Sequence, residues 1–167
     1  TTVVGVDRGL RFHAVTHDGK HTKFYPWREP AKVRARYKSI RSSLQKRGTP
    51  SSRRRLKRIG SRESRWMHDR NSCIAKTLVS DLEPGSVIVL EDLSGVRSAT
   101  EVVKRKSRYL AVSWPYYDLQ MQIEYKAAAK GIRVIYVNPA HTSQTCPHCG
   151  NVDKNARHRD RHEYVCP

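Results

Sequence analysis

Three cysteines near the end of the chain have a spacing that suits a metal ion. Cys146 and Cys149 are separated by two residues, and sixteen residues lie between Cys149 and Cys166. A zinc ribbon uses two such turns, which together place four thiolates about 2.3 Å from one tetrahedral Zn²⁺. The sequence therefore predicts a zinc site that takes Cys146, Cys149 and Cys166 as three of its ligands.

The fourth zinc ligand has two candidate sources. A second cysteine pair would place it at about position 169, so residues 141–167 are expected to be a truncated zinc ribbon. Alternatively His148, His158 or His162 completes a site of three cysteines and one histidine. The remaining cysteine, Cys73, stands alone in a predicted helix, which favours a metal site over a disulfide framework.

Two acidic residues follow apolar runs that are typical of strands. Asp7 ends the run from Val3, and Glu91 ends the run Val87–Leu90. If these strands are neighbours, the two carboxylates meet at one edge of a sheet and offer the hard oxygen ligands that Mg²⁺ prefers. Two such ions about 3.5–4 Å apart can activate water and stabilise the leaving oxygen of a phosphodiester. Singly, each acid also fits a turn or a cap, so the prediction depends on the pairing.

The elements that must position these residues follow the order βββ, αα, β, α, β. Three antiparallel strands are predicted at 3–7, 10–16 and 22–25, then two helices between about 30 and 82 with a break near Gly48. A fourth strand at 87–90 and a fifth at 132–137 flank one more helix. This order indicates an α/β fold with a mixed sheet and flanking helices.

Two details of the helices can be checked against a structure. In the second, long helix of the pair, one face is predicted from Met67, Ile74, Leu78 and Leu82. The later helix is expected to run from an N-cap at Ser113 to Lys130, with one stripe formed by Tyr117, Met121, Glu124 and Ala128. Between them, residues 94–112 are polar and basic and are expected to form a loop.

The charge of the chain indicates a polyanionic partner. The sequence has 33 lysines and arginines against 15 acidic residues, a net charge of +18. Residues 28–70 carry 16 of these cations against three acids, so most of the excess lies in the helical pair. We expect the six basic residues of its middle section to bind nucleic acid: Arg53, Arg54, Arg55, Lys57, Arg58 and Arg62. The alternative is a solvated helix face.

Four blocks of the sequence, in this order, resemble the TnpB family of transposon-encoded RNA-guided nucleases. They are GVDRG at 5–9, VLEDL at 89–93, EYKAAAKG at 124–131 and TSQTCPHCG at 142–150. The first block is shared by many RNase H-like and actin-like proteins, whereas the last two are specific. The same blocks are similar to the nuclease half of compact type V CRISPR effectors, so these two groups are not separated by motif.

The resemblance implies an RNase H-like fold of the RuvC type with a zinc-ribbon insertion, and it divides the chain into a nuclease domain at 1–140 and the ribbon at 141–167. Asp7 and Glu91 match two of the three catalytic acids of the family. The third, in a stretch resembling DxNAA, is expected beyond Pro167, so the fragment alone is expected to have little nuclease activity. The implied cofactors are Mg²⁺ and structural Zn²⁺, and the implied partners are a guide RNA and a target DNA.

Three other functions are compatible with parts of the sequence. A binding module that retains the fold without its chemistry explains the charge, and so does a DNA-joining transposase. A ribosome-associated zinc ribbon explains the charge and cysteines, but not Asp7 with Glu91. The sequence has neither a signal peptide nor a long apolar run, which favours a cytoplasmic, nucleoid-associated protein without a membrane partner. The oligomeric state is not predicted.

Overall fold

A computed structural model describes residues 2–9, 12–93, 116–142, 144–146, 148–153, 155–158 and 163–166. Strands β1 (Val3–Asp7), β2 (Phe12–His17) and β3 (Thr22–Pro26) are followed by helices α1 (Arg28–Arg47), α2 (Pro50–Ile59) and α3 (Arg62–Ser80). Strand β4 (Val87–Glu91), helix α4 (Tyr116–Ala129) and strand β5 (Arg133–Val137) come next. Two short strands, β6 (Arg157–His158) and β7 (Glu163–Tyr164), pair near the end.

The five longer strands form one mixed sheet in the order β3-β2-β1-β4-β5. Antiparallel pairing joins β1 to β2 and β2 to β3, whereas β1 with β4 and β4 with β5 are parallel. The parallel neighbours require crossovers, which helices supply as the sequence predicts. The mixed α/β sheet with flanking helices is therefore confirmed.

One face of the sheet packs against α3 and α4. The sheet contributes Val4, Val6, Ile88 and Leu90, each at most 5% exposed. The helical side of this core consists of Ala75, Leu78 and Val79 from α3 with Leu119, Ile123 and Ala127 from α4. Met67, Leu78 and Leu82 are buried and Ile74 packs against the core, so the predicted face of α3 is confirmed.

The basic region contains three helices, so the prediction of two is wrong. The expected break lies at Gly48, which ends α1 in the left-handed conformation, and the Thr49 hydroxyl accepts a hydrogen bond from the Ser52 amide to begin α2. A second break lies at Gly60, whose φ is +38°. A Cβ there would lie 2.9 Å from the Lys57 carbonyl oxygen, so the kink requires glycine.

The buried face of α4 also differs from the prediction. Tyr117 and Met121 are 58% and 44% exposed, whereas the neighbouring stripe of Tyr116, Leu119, Ile123 and Ala127 is buried. Both stripes have helical spacing, so the sequence alone does not distinguish them. Packing of α4 against the sheet determines which of the two is buried. The predicted loop at 94–112 and the N-cap at Ser113 lie outside the described residues. Within the described part of the chain, no helix is both long and apolar enough to cross a membrane.

Burial of His13 makes the stability of the fold depend on pH. His13 is fully buried on β2, with its Nε2 2.6 Å from Asn71 Oδ1 and its ring 4.8 Å from that of Trp27. Burial lowers the pKa of His13 from 6.5 to about 4. The unfolded chain therefore takes up this proton at a higher pH than the folded chain does, and the free energy of unfolding falls as pH drops from about 6.5 to about 4.

We expect His13 to account for roughly 3 kcal/mol of that loss. Urea unfolding across this pH range is the measurement, with His13→Gln compared with the wild type. His17→Gln, an exposed histidine of the same strand, is the matched control. The same pH dependence in wild type and His13→Gln would contradict the assignment.

Candidate functional site

The two predicted acids lie side by side at the carboxyl ends of β1 and β4. Val6 pairs with Leu90 in the parallel register, so Asp7 and Glu91 are the next residues on two neighbouring strands. The main chains of neighbouring strands lie about 5 Å apart. Val6 and Leu90 are both buried under α3 and α4. Side chains alternate along a strand, so Asp7 and Glu91 share the opposite face. Asp7 is exposed and Glu91 is partly exposed.

A buried arginine that the sequence analysis missed braces this edge of the sheet. Arg8 is 4% exposed and donates hydrogen bonds to the Glu91 carbonyl oxygen at 2.5 Å and to Gln120 Oε1 at 2.9 Å. A longer contact of 3.4 Å reaches the Tyr116 carbonyl oxygen. Arg8 therefore links β1, β4 and α4. In the sequence, the one indication of a role for Arg8 is its position directly after Asp7. An exposed arginine in a turn would occupy the same position.

Burial and the nearby acidic residues have opposite effects on the pKa of Arg8. Burial lowers the pKa of Arg8, while the negative charges of Glu91 and Asp7 act in the opposite direction. An arginine side chain stays protonated in proteins. A fixed positive charge therefore lies behind the two carboxylates, where it reduces their mutual repulsion.

A hydrogen-bond network on α4 and β5 extends from Arg8. Gln120 accepts from Arg8 and donates to Glu124 Oε1 at 3.0 Å. The Tyr136 hydroxyl of β5 donates to the same Glu124 oxygen. Burial, then the bond to Glu124, raises the pKa of Tyr136, so its hydroxyl remains a donor at neutral pH. Glu124 is thus committed to positioning β5 against α4.

Glu91 also contacts the segment that leads into the cysteine turn. The Thr142 hydroxyl lies 2.8 Å from Glu91 Oε1, although 51 residues separate the two in sequence. His141, directly before Thr142, has a φ of +64°, a left-handed conformation that is uncommon outside glycine. The sequence analysis did not connect these residues, because nothing in their types or spacing indicates the contact.

The three predicted cysteine ligands converge. The sulfur atoms of Cys146, Cys149 and Cys166 all lie within 4.8 Å of one another, and those of Cys149 and Cys166 are 3.4 Å apart. Thiolates about 2.3 Å from a tetrahedral ion lie about 3.8 Å from one another, so the cluster is close to the geometry that a metal needs. His148 is exposed, while His162 and the side chain of His158 lie outside the described residues.

The local backbone and the neighbouring thiols act differently on the cysteines. The amides of Cys149 and His148 point at the Cys146 sulfur and lower the pKa of Cys146 to about 7. The thiols of Cys149 and Cys146 raise the pKa of Cys166 to about 12. Three thiols this close cannot all ionise without a neighbouring cation, and a bound divalent metal would supply that charge.

The six predicted nucleic-acid contacts are all exposed on α2 and at the start of α3: Arg53, Arg54, Arg55, Lys57, Arg58 and Arg62. Arg54, Arg55 and Arg58 line a groove of about 440 Å³ together with Arg47 of α1. Glu63 joins α3 to α1, since it is buried against Arg34 and lies 2.6 Å from Arg41 Nη2 of α1. This buried carboxylate offsets part of the local positive charge.

A second groove lies away from the acid pair. It has a volume of about 850 Å³, and its lining residues come from α1, α3 and α4 and the Gly60 turn. At its wall, His68 Nδ1 lies 2.8 Å from Asp118 Oδ1, and Asn71 donates to Asp118 Oδ2 at 2.5 Å. Asp118 and Asn71 thereby connect the groove to the buried His13.

Comparison with known proteins supports the resemblance that the sequence motifs indicate. Residues 116–167 match the model of the Cas12f1-like TNB domain family. A TnpB-like protein of Methanocaldococcus jannaschii, MJ0751, is 36% identical over 104 residues, which is 61% of this chain and 37% of that protein. A putative RNA-guided DNA endonuclease of Escherichia coli K12, InsQ, is 26% identical and covers 93% of this chain and 42% of its own length.

The fold is also similar to that of a solved protein. A cryo-EM structure of Cas12f1 with sgRNA and target DNA superimposes with a TM-score of 0.70 and 19% identity, covering 98% of this chain and 35% of that one. The chain thus spans between about a third and two fifths of the length of these relatives.

Proposed function

We propose that this chain, which is similar to TnpB proteins and to Cas12f1-like proteins, is the nuclease part of a transposon-associated, RNA-guided DNA endonuclease. The observation that carries the proposal is the parallel register of β1 with β4, which gives Asp7 and Glu91 a common face at one sheet edge. Under this proposal, residues 1–140 form a RuvC-type, RNase H-like domain and residues 141–167 form a zinc ribbon.

The acid pair fits divalent magnesium. Carboxylate oxygens on neighbouring strands are hard ligands held by a rigid sheet, and their exposure leaves room for water and a phosphate group. When bound, two Mg²⁺ ions would activate a water molecule and stabilise the leaving oxygen of a DNA phosphodiester. Asp7 and Glu91 would hold the ions, and the Arg8 charge behind them would steady both carboxylates.

The basic helices fit a nucleic-acid backbone. Exposed arginines and lysines on α2 contact phosphates without reading sequence, which suits a protein whose sequence choice lies in a guide RNA. The arginine groove between α1 and α2 supports this role more strongly than a solvated face, because four guanidinium groups around one groove repel each other unless an anion lies among them.

The mechanism predicts loss of cleavage when either acid is removed. In the full protein purified with its co-expressed RNA, Asp7→Ala and Glu91→Ala should each lower Mg²⁺-dependent cleavage of guide-matched DNA by at least about 10³-fold, since each removes a metal ligand. RNA binding should persist. Asp92→Ala, an exposed acid next to Glu91, is the matched control. Cleavage at wild-type rates in either acid variant would refute the assignment.

The same experiment separates the competing functions. If the wild type binds RNA but cuts no DNA with Mg²⁺ or Mn²⁺, the chain belongs to a binding module that has kept the fold without the chemistry. Whether the protein acts as a transposon nuclease or a CRISPR effector is decided by the RNA that copurifies. A transposon-end transcript supports the first, and a repeat-derived guide supports the second.

Removal of charge from the arginine groove should weaken RNA binding in a salt-dependent way. Replacing Arg54, Arg55 and Arg58 together by Gln should reduce the slope of log affinity against log salt by about 2 to 3, since each phosphate contact contributes about 0.7 to 0.9. The matched control removes three exposed charges elsewhere, at Lys20, Lys76 and Arg133. Equal slopes for the two triple variants would show that α2 is only a solvated face.

The cysteine cluster should hold zinc in the purified protein. We expect one zinc per chain by elemental analysis, and Cys146→Ser should lower the content to a small fraction because it removes a thiolate ligand. Cys73→Ser is the control, because Cys73 lies on α3 outside the cluster. Full zinc content in Cys146→Ser, or none in the wild type, would contradict the zinc site.

A further inference from the structure

We propose that Thr142 is a positioning residue that orients the Glu91 carboxylate for metal binding. This inference rests on the proposed metal site of Asp7 and Glu91 and adds to it a residue from the segment that leads into the cysteine turn. The juxtaposition that carries it is the hydrogen bond of 2.8 Å between Thr142 Oγ1 and Glu91 Oε1.

The direction of this hydrogen bond follows from the chemistry of its partners. An ionised carboxylate can only accept, so the Thr142 hydroxyl donates. The Pro139 carbonyl oxygen lies 3.1 Å from the same hydroxyl. A hydroxyl has a single proton, and the shorter contact to a charged oxygen is the stronger bond. The Thr142 hydroxyl therefore donates its hydrogen bond to Glu91 and not to Pro139.

The backbone around Thr142 is arranged to present this hydroxyl. Asn138 Oδ1 accepts from the Ala140 amide at 2.9 Å, which makes a tight turn directly after β5. His141 then adopts its left-handed conformation, and its carbonyl oxygen accepts from the Gln144 amide and the Thr145 hydroxyl, each at 2.8 Å. Such a conformation persists only where the surrounding contacts fix it, and it is most frequent at functional sites.

Further main-chain hydrogen bonds connect this segment to the cysteine turn. The Asp153 amide donates to the Gln144 carbonyl oxygen at 3.0 Å, and the Cys146 amide donates to the Asn151 carbonyl oxygen at 2.8 Å. Thr145 and Val152 form a bridge between these two bonds. Thr142 is therefore attached to a small hairpin whose other function is to carry Cys146 and Cys149.

A fixed orientation of Glu91 matters because its backbone alone does not determine where the carboxylate lies. Pairing with Val137 of β5, together with the bond from Arg8, fixes the main chain of Glu91. Its side-chain torsions are not fixed by these contacts. A hydrogen bond to Oε1 would leave Oε2 to bind a cation as a single-oxygen ligand, which suits the strict octahedral geometry of Mg²⁺. Partners of this kind typically contribute 10- to 100-fold in metal affinity or activity.

The test uses the full protein with its RNA and compares Thr142→Val, which replaces the hydroxyl with a methyl group, with Thr142→Ser, which keeps the hydroxyl. For Thr142→Val and Thr142→Ala, we expect the Mg²⁺ concentration for half-maximal cleavage to rise about 10-fold. Thr142→Ser should stay near the wild type. Mn²⁺ affinity, measured by electron paramagnetic resonance without DNA, should fall by a similar factor. Thr77→Val, an exposed hydroxyl on α3, is the control.

The outcomes separate this inference from the proposed function. If Glu91→Ala abolishes cleavage while Thr142→Val keeps the wild-type Mg²⁺ midpoint and Mn²⁺ affinity, the role of Thr142 is overturned and the nuclease remains. It is also overturned if Thr142→Ser behaves like Thr142→Val, or if Thr142→Val loses its zinc, since the residue would then act on the cysteine turn. If Glu91→Ala cleaves like the wild type, both proposals fail.

Discussion

Parallel pairing of β1 with β4 determines where the two acids lie, and the rest of the structure maintains that pairing. The 79 residues 8–86 separate the two strands in sequence and include the three basic helices. Their register is fixed by apolar side chains, since Val4, Val6, Ile88 and Leu90 are buried together under α3 and α4. A slip of one residue would turn a carboxylate into this core, at a cost of several kcal/mol.

Buried charges have different partners near the acid pair and in the basic helices. Near the acids, one buried cation, Arg8, donates to the Glu91 main-chain carbonyl and to Gln120, and these bonds anchor the end of β4 to α4. In the basic helices, one buried anion, Glu63, lies among Arg34 and Arg41 and holds α1 to α3. The uncompensated cations remain on the surface, where phosphate groups can neutralise them.

The elements that could be predicted from the sequence are those in which a local pattern of residues is compatible with only one structure. The strands around Asp7 and Glu91 are short apolar runs, and the cysteine spacing has few uses besides a metal. Gly60 was missed because a glycine inside a helical pattern is compatible with a continuous helix, and only its conformation identifies the break. The face of α4 was missed because Tyr117 and Met121 have the same spacing as Leu119 and Ile123. Arg8 and Thr142 act through contacts across 83 and 51 residues, and no local pattern encodes such contacts.

Direct observation of a metal ion at the acid pair would show whether Asp7 and Glu91 bind metal together. Crystals of the full protein with its RNA, grown with Mn²⁺ in place of Mg²⁺, would be measured at a wavelength where manganese scatters anomalously. The account predicts an anomalous peak about 2.2 Å from carboxylate oxygens of both Asp7 and Glu91. A clear map with no peak there, or with manganese bound only at other residues, would contradict it.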